Sequence, residues 1–338
     1  MRVVTIGEVM MRLVAPNHKR FIQAESFDIT YGGGEANVGA SLAQFGVDVS
    51  HVTVFPDNDL GDAATIFYKK FGVDVSNIIR RGKRLGTYFL EFGASVRPSK
   101  IIYDREFSAF SLADPAWFDW DKILAGADFL QWTGITPALS ENCLQITKDA
   151  LATAKKNGVT VLADVNYRSN LWNYGKTAQE VMPELISQCD IITCSEKDAF
   201  EIFGLQDFSN PAYDQESFID AVQQMMNLFP NLKKIVTTRR NSISASTNEL
   251  KGIGFDGEKY VETEFLMIDN IVDRIGGGDA FLAGIIYGEL QNWDLHKTLS
   301  FANAASVLKH TIYGDVNICT VAEIEEIMAG NTSGRIKR

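Results

Sequence analysis

Cysteine is scarce in this 338-residue sequence: Cys143, Cys189, Cys194 and Cys319 are the only four, and none form a CxxC pair. Thiols this sparse read as buried and reduced, not as a disulfide scaffold. His18, His51, His296 and His310 lie scattered without ligand spacing, so a His/Cys metal cage is not expected. No basic run or basic-aromatic stripe offsets the net charge of −11, which argues against nucleic-acid binding. No uncharged apolar run approaches the length of a membrane span. The first residues, Met-Arg-Val-Val-Thr-Ile-Gly-Glu, enter a strand pattern without a signal-peptide profile. The expectation is a soluble, cytoplasmic protein that meets no membrane.

Common catalytic signatures are missing as well. Gly175-Lys176-Thr177 ends like a P-loop, but Asn170 stands where the first glycine belongs. Gly32-Gly33-Gly34-Glu35-Ala36-Asn37 and Gly276-Gly277-Gly278-Asp279-Ala280-Phe281 fail the dinucleotide fingerprint at Asn37 and Phe281. GxSxG and HExxH do not occur, which removes the commoner hydrolases.

What is present is a 46% hydrophobic chain, enough for a large core. Short β-branched runs at 3–7, 51–55, 129–134, 159–166, 191–195 and 234–238 alternate with helical patterns at 36–45, 60–71, 141–157, 177–188 and 216–228. Alternation of this kind predicts a mostly parallel sheet covered by helices on both faces. Helices at 278–290, 295–310 and 321–328 follow. Segments 21–31 and 86–104 break the pattern and read as antiparallel strands with no helix between them. They form either a pair of surface hairpins or a small sheet inserted as a lid. The tail, 331–338, is polar and predicted to be disordered.

Three segments carry chemistry. In Asp273-Arg274-Ile275-Gly276-Gly277-Gly278-Asp279 three glycines open a helix. Their amides can approach an anion closely, and the helix N-terminus adds roughly half a positive charge. Asp279 in the first turn can accept a proton from an attacking hydroxyl; the plainer reading is an acidic residue after a glycine-rich turn. Gly32-Gly33-Gly34-Glu35-Ala36-Asn37 enters a helix, with Asn37 able to bond hydroxyls, or it is simply a helix start. Asp164-Val165-Asn166-Tyr167-Arg168 ends a strand, where open α/β sheets bind ligands, and Tyr103-Asp104-Arg105 lies on a lid strand. Either arginine can grip a carboxylate or phosphate, or be an ordinary surface charge.

Together these segments resemble the ribokinase-like sugar kinases, the PfkB family, from Val3 to about Met328. The glycine element at 32–37 and the signature at 273–279 match that family in order and spacing. The resemblance implies a three-layer α/β/α sandwich with a mostly parallel sheet, a kinase domain over 1–330 and a small β-lid from about 12–34 and 86–112. It implies ATP and Mg²⁺, Asp279 as catalytic base, and Gly276, Gly277 and Gly278 as an anion hole. Since the family has Ala at the middle glycine, Gly277→Ala is expected to be tolerated better than Gly276→Val or Gly278→Val, whose branched side chains would block phosphate approach.

Within the family the likeness is nearest to the 2-keto-3-deoxygluconate kinases. Arg12 stands where neutral-sugar members have a hydroxyl-binding aspartate. Tyr103-Asp104-Arg105-x-x-Ser108-Ala109 is similar to an element of those enzymes, and Arg168 to the arginine that helps hold the acid. The same likeness implies substrate contacts at Gly34, Asn37, Tyr88, Tyr103, Arg105, Arg168 and Asp279. It implies nucleotide contacts at Ser195, Thr238, Gly276, Gly278 and Asn303, and metal at Asp198.

The sequence also departs from the family. Arg274 and Gly277 replace Thr and Ala of the signature. Ser195-Glu196-Lys197-Asp198 replaces Asn-x-x-Glu, and 237–242 lacks the glycines of the nucleotide-side element. The expected reaction is ATP-dependent phosphorylation of 2-keto-3-deoxygluconate to its 6-phosphate. A fructokinase, or another kinase of a neutral sugar, is one alternative; a catalytically inactive nucleotide-binding regulatory protein is another. A homo-oligomer through the lid is the expected assembly.

Overall fold

The computed structural model describes residues 1–205 and 215–331, so the tail after Asn331 lies outside the described residues. The chain begins with β1 (Arg2–Ile6), β2 (Met10–Val14), β3 (Asp28–Gly32), α1 (Gly34–Gln44), β4 (Asp48–Phe55), α2 (Asp59–Lys69) and β5 (Ile78–Arg80). It continues through β6 (Gly86–Glu91), β7 (Lys100–Asp104), α3 (Trp120–Ile123), β8 (Phe129–Thr133), α4 (Ile135–Ala138), α5 (Glu141–Lys156) and β9 (Thr160–Asp164). Next come α6 (Ala178–Ile186), β10 (Ile191–Thr193), α7 (Glu196–Phe203), α8 (Gln215–Leu228), β11 (Lys234–Ser242), β12 (Asn248–Phe255), β13 (Tyr260–Glu262) and β14 (Leu266–Ile268). Three helices close the chain: α9 (Gly277–Leu290), α10 (Leu295–Lys309) and α11 (Val321–Met328).

The large sheet runs β13-β12-β11-β10-β9-β8-β1-β4-β5, with β14 also on β12. It is parallel from β11 to β5 and antiparallel beyond β11. Alternate side chains of one strand feed two cores, as the pleat dictates. Val3 packs with α1, α9 and α10, whereas Val4 and Ile6 pack with α5 and α6. Helices therefore cover both faces, and the fold is the three-layer α/β/α sandwich expected.

Helix starts are set by local chemistry. Asn58 caps α2 through Leu60 N and Gly61 N, Ser140 caps α5 through Cys143 N, and Thr177 with Glu180 forms a capping box on α6. α9 is apolar on nearly all sides because α1 and α10 enclose it. Gly284 and Gly288 permit this: a Cβ there would lie 2.4 Å from Ala302 Cα and 2.5 Å from Thr298 Oγ1.

The small sheet, β3-β2-β6-β7, differs in detail from expectation. It begins at Met10, a strand the alternation did not show, and β2 pairs parallel to β6, not antiparallel. Residues 21–23 form a short 3₁₀ turn, and the strand covers 28–32 where 21–31 was predicted. The antiparallel edge β12–β14 was also unforeseen. Gly252 and Gly254 weaken strand propensity there, yet a Cβ on either would press within 3.1–3.2 Å of Phe281 or Leu299. Close seating of α9 and α10 on the edge explains both glycines.

Gly284→Val forces a branched side chain into the α9–α10 contact. Overpacking of this kind costs about 1–3 kcal/mol. Chemical denaturation should show a lower midpoint for Gly284→Val with an unchanged slope.

Candidate active site

The parallel strands β1, β8 and β9 end around one cavity of about 340 Å³, with the small sheet on its far side. The carboxyl edge of such a sheet is where loops can converge without disturbing the core. Gly276, the N-cap of α9, has φ +85 and no side chain caps the helix. That left-handed turn suits glycine, and a Cβ would meet Asp315 O at 1.8 Å. Gly276, Gly278 and Asp279 line the cavity, so a positive helix terminus opens directly onto it.

The three glycines are not equivalent. A Cβ on Gly278 would meet nothing within 4 Å, whereas one on Gly277 would lie 2.4 Å from the buried His310 ring. The expected tolerance of Ala at Gly277 meets an obstacle, because His310 fills the space behind it, whereas Gly278 has room for a side chain. Gly277 does not line the cavity.

Asp279 Oδ2 accepts a 2.7 Å hydrogen bond from Asn37 Nδ2. Asn37 Oδ1 in turn accepts from Tyr68 Oη at 3.3 Å and from Gly33 N at 3.4 Å. The amide assigned to substrate hydroxyls is thus held within the protein and aims its donor at Asp279. Desolvation pushes the Asp279 carboxyl up to about 7; the Asn37 bond opposes this, while Asp315 and Glu35 add to it. Gly34 sits against the same group: its Cβ would stand 3.6 Å from Asp279 Oδ1.

Tyr88, Tyr103, Arg105 and Arg168 also line this cavity. Arg105 is ion-paired: its Nε donates to Glu8 Oε2 at 2.8 Å, its Nη2 donates to the same oxygen, and Ser108 holds the other oxygen of Glu8. Glu8 follows directly after Gly7 at the end of β1, a position that signals a sheet-edge ligand site, yet the sequence reading missed it. Arg168 is exposed and donates to Tyr167 O at 3.0 Å. Among the described residues no carboxylate lies within salt-bridge distance of it. Asn166, at φ +41, turns the chain so that Asp164 and Arg168 both reach the cavity. Arg12 is absent from it. Its guanidinium is fully buried against Asp273 and Asp315, so its use as a sign of an acidic ligand is withdrawn.

A second cavity of about 210 Å³ shares Asp164, Asn166, Arg168 and Gly278 with the first and adds Ser195, Asp198 and Thr238. Ser195 Oγ caps α7 by accepting from Asp198 N. Desolvation raises the Asp164 carboxyl to about 8, with Asp279 and Asp198 adding like-charge repulsion; Asp198 is raised too, first by burial. Asp164 and Asp198 line this cavity together, although no cluster of three or more His, Cys, Asp or Glu suited to a metal occurs among the described residues. Residues 237–242 form part of β11 and pair with β12 instead of making a glycine loop. Asn303 is in neither cavity. It is buried and its Nδ2 bonds Leu250 O and Thr263 Oγ1, which ties α10 to the sheet edge.

The sequence profile of the pfkB family carbohydrate kinases matches residues 1–320. The chain belongs to this family. The crystal structure of a 2-dehydro-3-deoxygluconokinase from Thermotoga maritima is 44% identical and superposes with a TM-score of 0.93 over 98% of both chains. A PfkB family carbohydrate kinase from Listeria grayi is 34% identical, with a TM-score of 0.91 over 97% of this chain and 100% of that one. A 2-dehydro-3-deoxygalactonokinase from Haloferax volcanii is 30% identical over 331 residues, 98% of each chain.

In this carbohydrate kinase the two inner glycines should separate on substitution. Gly277→Ala should lower the melting temperature, because overpacking against His310 costs about 1–3 kcal/mol. Gly278→Ala should melt close to wild type. Thermal unfolding of both variants checks the difference.

The Asp279 carboxyl should titrate with a midpoint near 7 in a carbon-13 NMR titration of the labelled side chain. Its folded value is raised, so it stays protonated below that pH and ionises above it. Asn37→Ala removes the hydrogen bond that favours the charged form. The midpoint should then move to higher pH; a downward move would contradict the assigned geometry.

Proposed function

We propose that this kinase transfers the γ-phosphoryl group of ATP to the 6-hydroxyl of 2-keto-3-deoxygluconate. The observation that carries the acid reading is Arg168, a guanidinium in the cavity of Asp279 with no carboxylate within salt-bridge distance among the described residues. The names of the Thermotoga and Haloferax relatives, both kinases of dehydro-deoxy sugar acids, point the same way. A neutral sugar would leave that cation unpaired inside the closed site.

In this reading the small sheet is a lid, formed by about 12–34 and 86–112 of one kinase domain over 1–330. Tyr88, Tyr103 and Arg105 present its inner face, and Gly34 gives the sugar room beside Asp279. Asp279 takes the proton of the attacking hydroxyl as its oxygen bonds to the γ-phosphorus and the bond to the ADP oxygen breaks. A carboxyl poised near neutrality suits that step. Amides of the uncapped α9 terminus, at Gly276 and Gly278, stabilise the charge on the moving phosphoryl group. Ser195 and Thr238 flank the nucleotide side. Mg²⁺ would be held at Asp198, with Asp164 beside it, and supplies charge neutralisation between phosphates. Among the described residues no helix is long and apolar enough to cross a membrane; we assign the kinase to the cytoplasm. Exposed Ile29, Ile102 and Phe107 leave the lid's outer surface apolar, and a second copy of the chain is the partner that fits it.

Arg168→Ala and Arg105→Ala should each lower kcat/KM for the acid by roughly 30- to several-thousand-fold, the cost of about 2–5 kcal/mol for losing one member of a desolvated charge pair. KM for ATP should change little. Asp279→Asn, with the site's shape kept, should lose at least about 10²-fold in kcat. The ratio of kcat/KM for the acid to that for fructose is the measurement that decides. A ratio that stays fixed in both arginine variants, or a wild-type preference for fructose, defeats the acid assignment.

A further inference from the structure

Arg12 sits on β2 with no exposure to solvent. Its Nη2 donates to Asp273 Oδ2 at 2.5 Å, and its Nη1 is ion-paired with Asp315. The guanidinium also lies 5.6 Å from the ring centres of both Phe92 and Tyr313. Burial opposes its charge, but the carboxylates and Tyr88 outweigh that and raise its pKa, so it remains a cation.

Both carboxylates belong to segments that shape the phosphoryl site. Asp273 opens the glycine loop: its Oδ1 accepts from Ile275 N at 3.0 Å, and its Oδ2 accepts from Gly314 N at 3.0 Å. Asp315 is wedged between that loop and the small sheet. A Cβ on Gly276 would meet Asp315 O, and one on Gly32 would meet Asp315 Oδ2, each at 1.8 Å. Tyr88, from β6, donates to the same carboxylate at 2.5 Å. Two glycines thus make room for one aspartate, and one arginine holds it.

A buried ion cluster is a poor source of stability, because desolvation offsets attraction. Its forked geometry, however, fixes the distance between two segments far apart in sequence. We propose that Arg12 is a positioning residue of the phosphoryl-transfer site. Its guanidinium bridges Asp273 and Asp315 and so holds the glycine loop and the small sheet in the one arrangement that opens the α9 terminus to the cavity. This inference rests on the proposed phosphoryl transfer, but its geometry can be read without it.

Arg12→Lys keeps the charge and loses the fork. It should lower kcat by about 10²-fold, the order expected when a site is displaced by about 1 Å, with KM for ATP nearly unchanged. Arg12→Ala leaves a guanidinium-sized hole, and guanidinium ion below denaturing concentrations should restore at least about tenfold of the lost kcat. Amide hydrogen exchange at Gly276, Gly278 and Asp279, measured without substrates, should be faster in Arg12→Lys than in wild type. Wild-type kcat in Arg12→Lys, no rescue of a folded Arg12→Ala, or unchanged exchange overturns the proposal. If the wild-type protein phosphorylates no sugar acid, the proposed function fails, and the exchange measurement alone decides the role of Arg12.

Discussion

The N-terminus of α9 enters its cavity without a side-chain cap, and much of the surrounding structure follows from keeping it so. A helix start normally recruits Ser, Thr, Asp or Asn to satisfy its first amides, as α2, α5, α6, α10 and α11 do here. An exposed start that must stay open needs a backbone that turns without a side chain. Gly276 supplies the turn at φ +85, and Asp315 O closes against it from below. His310 fills the space behind Gly277 and, with its pKa lowered to about 4 chiefly by burial, adds no charge near neutral pH. Only Gly278 faces open space. The terminus is therefore rigid behind and bare in front, the state in which fixed amides favour an anion without reorganising.

Carboxylates are concentrated around this terminus, in keeping with the acidic balance of the chain. Glu8, Glu35, Asp164, Asp273, Asp279 and Asp315 all lie within the same region, most of them buried. Each is neutralised differently. Glu35 accepts three hydrogen bonds from Thr133 and Thr136. Glu8 has Arg105 and Ser108, and Asp273 and Asp315 share Arg12. Asp279 and Asp164 have only amide donors, from Asn37 and Asn166. Burial raises these two carboxyls to about 7 and about 8, and it raises Glu35 and Asp273 as well. Arginines thus hold Glu8, Asp273 and Asp315, whereas Glu35, Asp164 and Asp279 rely on hydroxyl and amide donors.

Much of this was legible in the sequence, because the parallel strands are continuous apolar runs and the glycine segments stand alone. Val3 and Val4 announce a strand buried on both faces, and 273–279 announces a helix opening on glycine. The edge strands β12–β14 were not legible, since Gly252 and Gly254 serve helix seating and disguise the strand. β2 was hidden because Met10, Met11 and Arg12 do not alternate in polarity; Arg12 is as buried as its apolar neighbours. The surroundings of Asn303 and Arg12 were illegible for one reason. A polar residue near a site motif looks functional until its partners are known, and those partners, Leu250, Thr263, Asp273 and Asp315, lie more than 35 residues away in the chain.

The two arginines of the cavity differ in the same respect, and the difference orders their roles. Arg105 is held by Glu8 through two donors and lies over Tyr103, with its guanidinium 5.9 Å from the ring centre. Its charge is already balanced, so what it offers a ligand is a fixed donor edge more than net attraction. Arg168 has no such partner among the described residues, and Asp164 and Asp198 act on it only through space. An incoming carboxylate gains most where a cation is uncompensated, and gains orientation where donors are immobile. Under the proposed function, selection for an acid would therefore fall mainly on Arg168 and alignment of its sugar on Arg105, a division that follows from Glu8 standing beside one arginine and not the other.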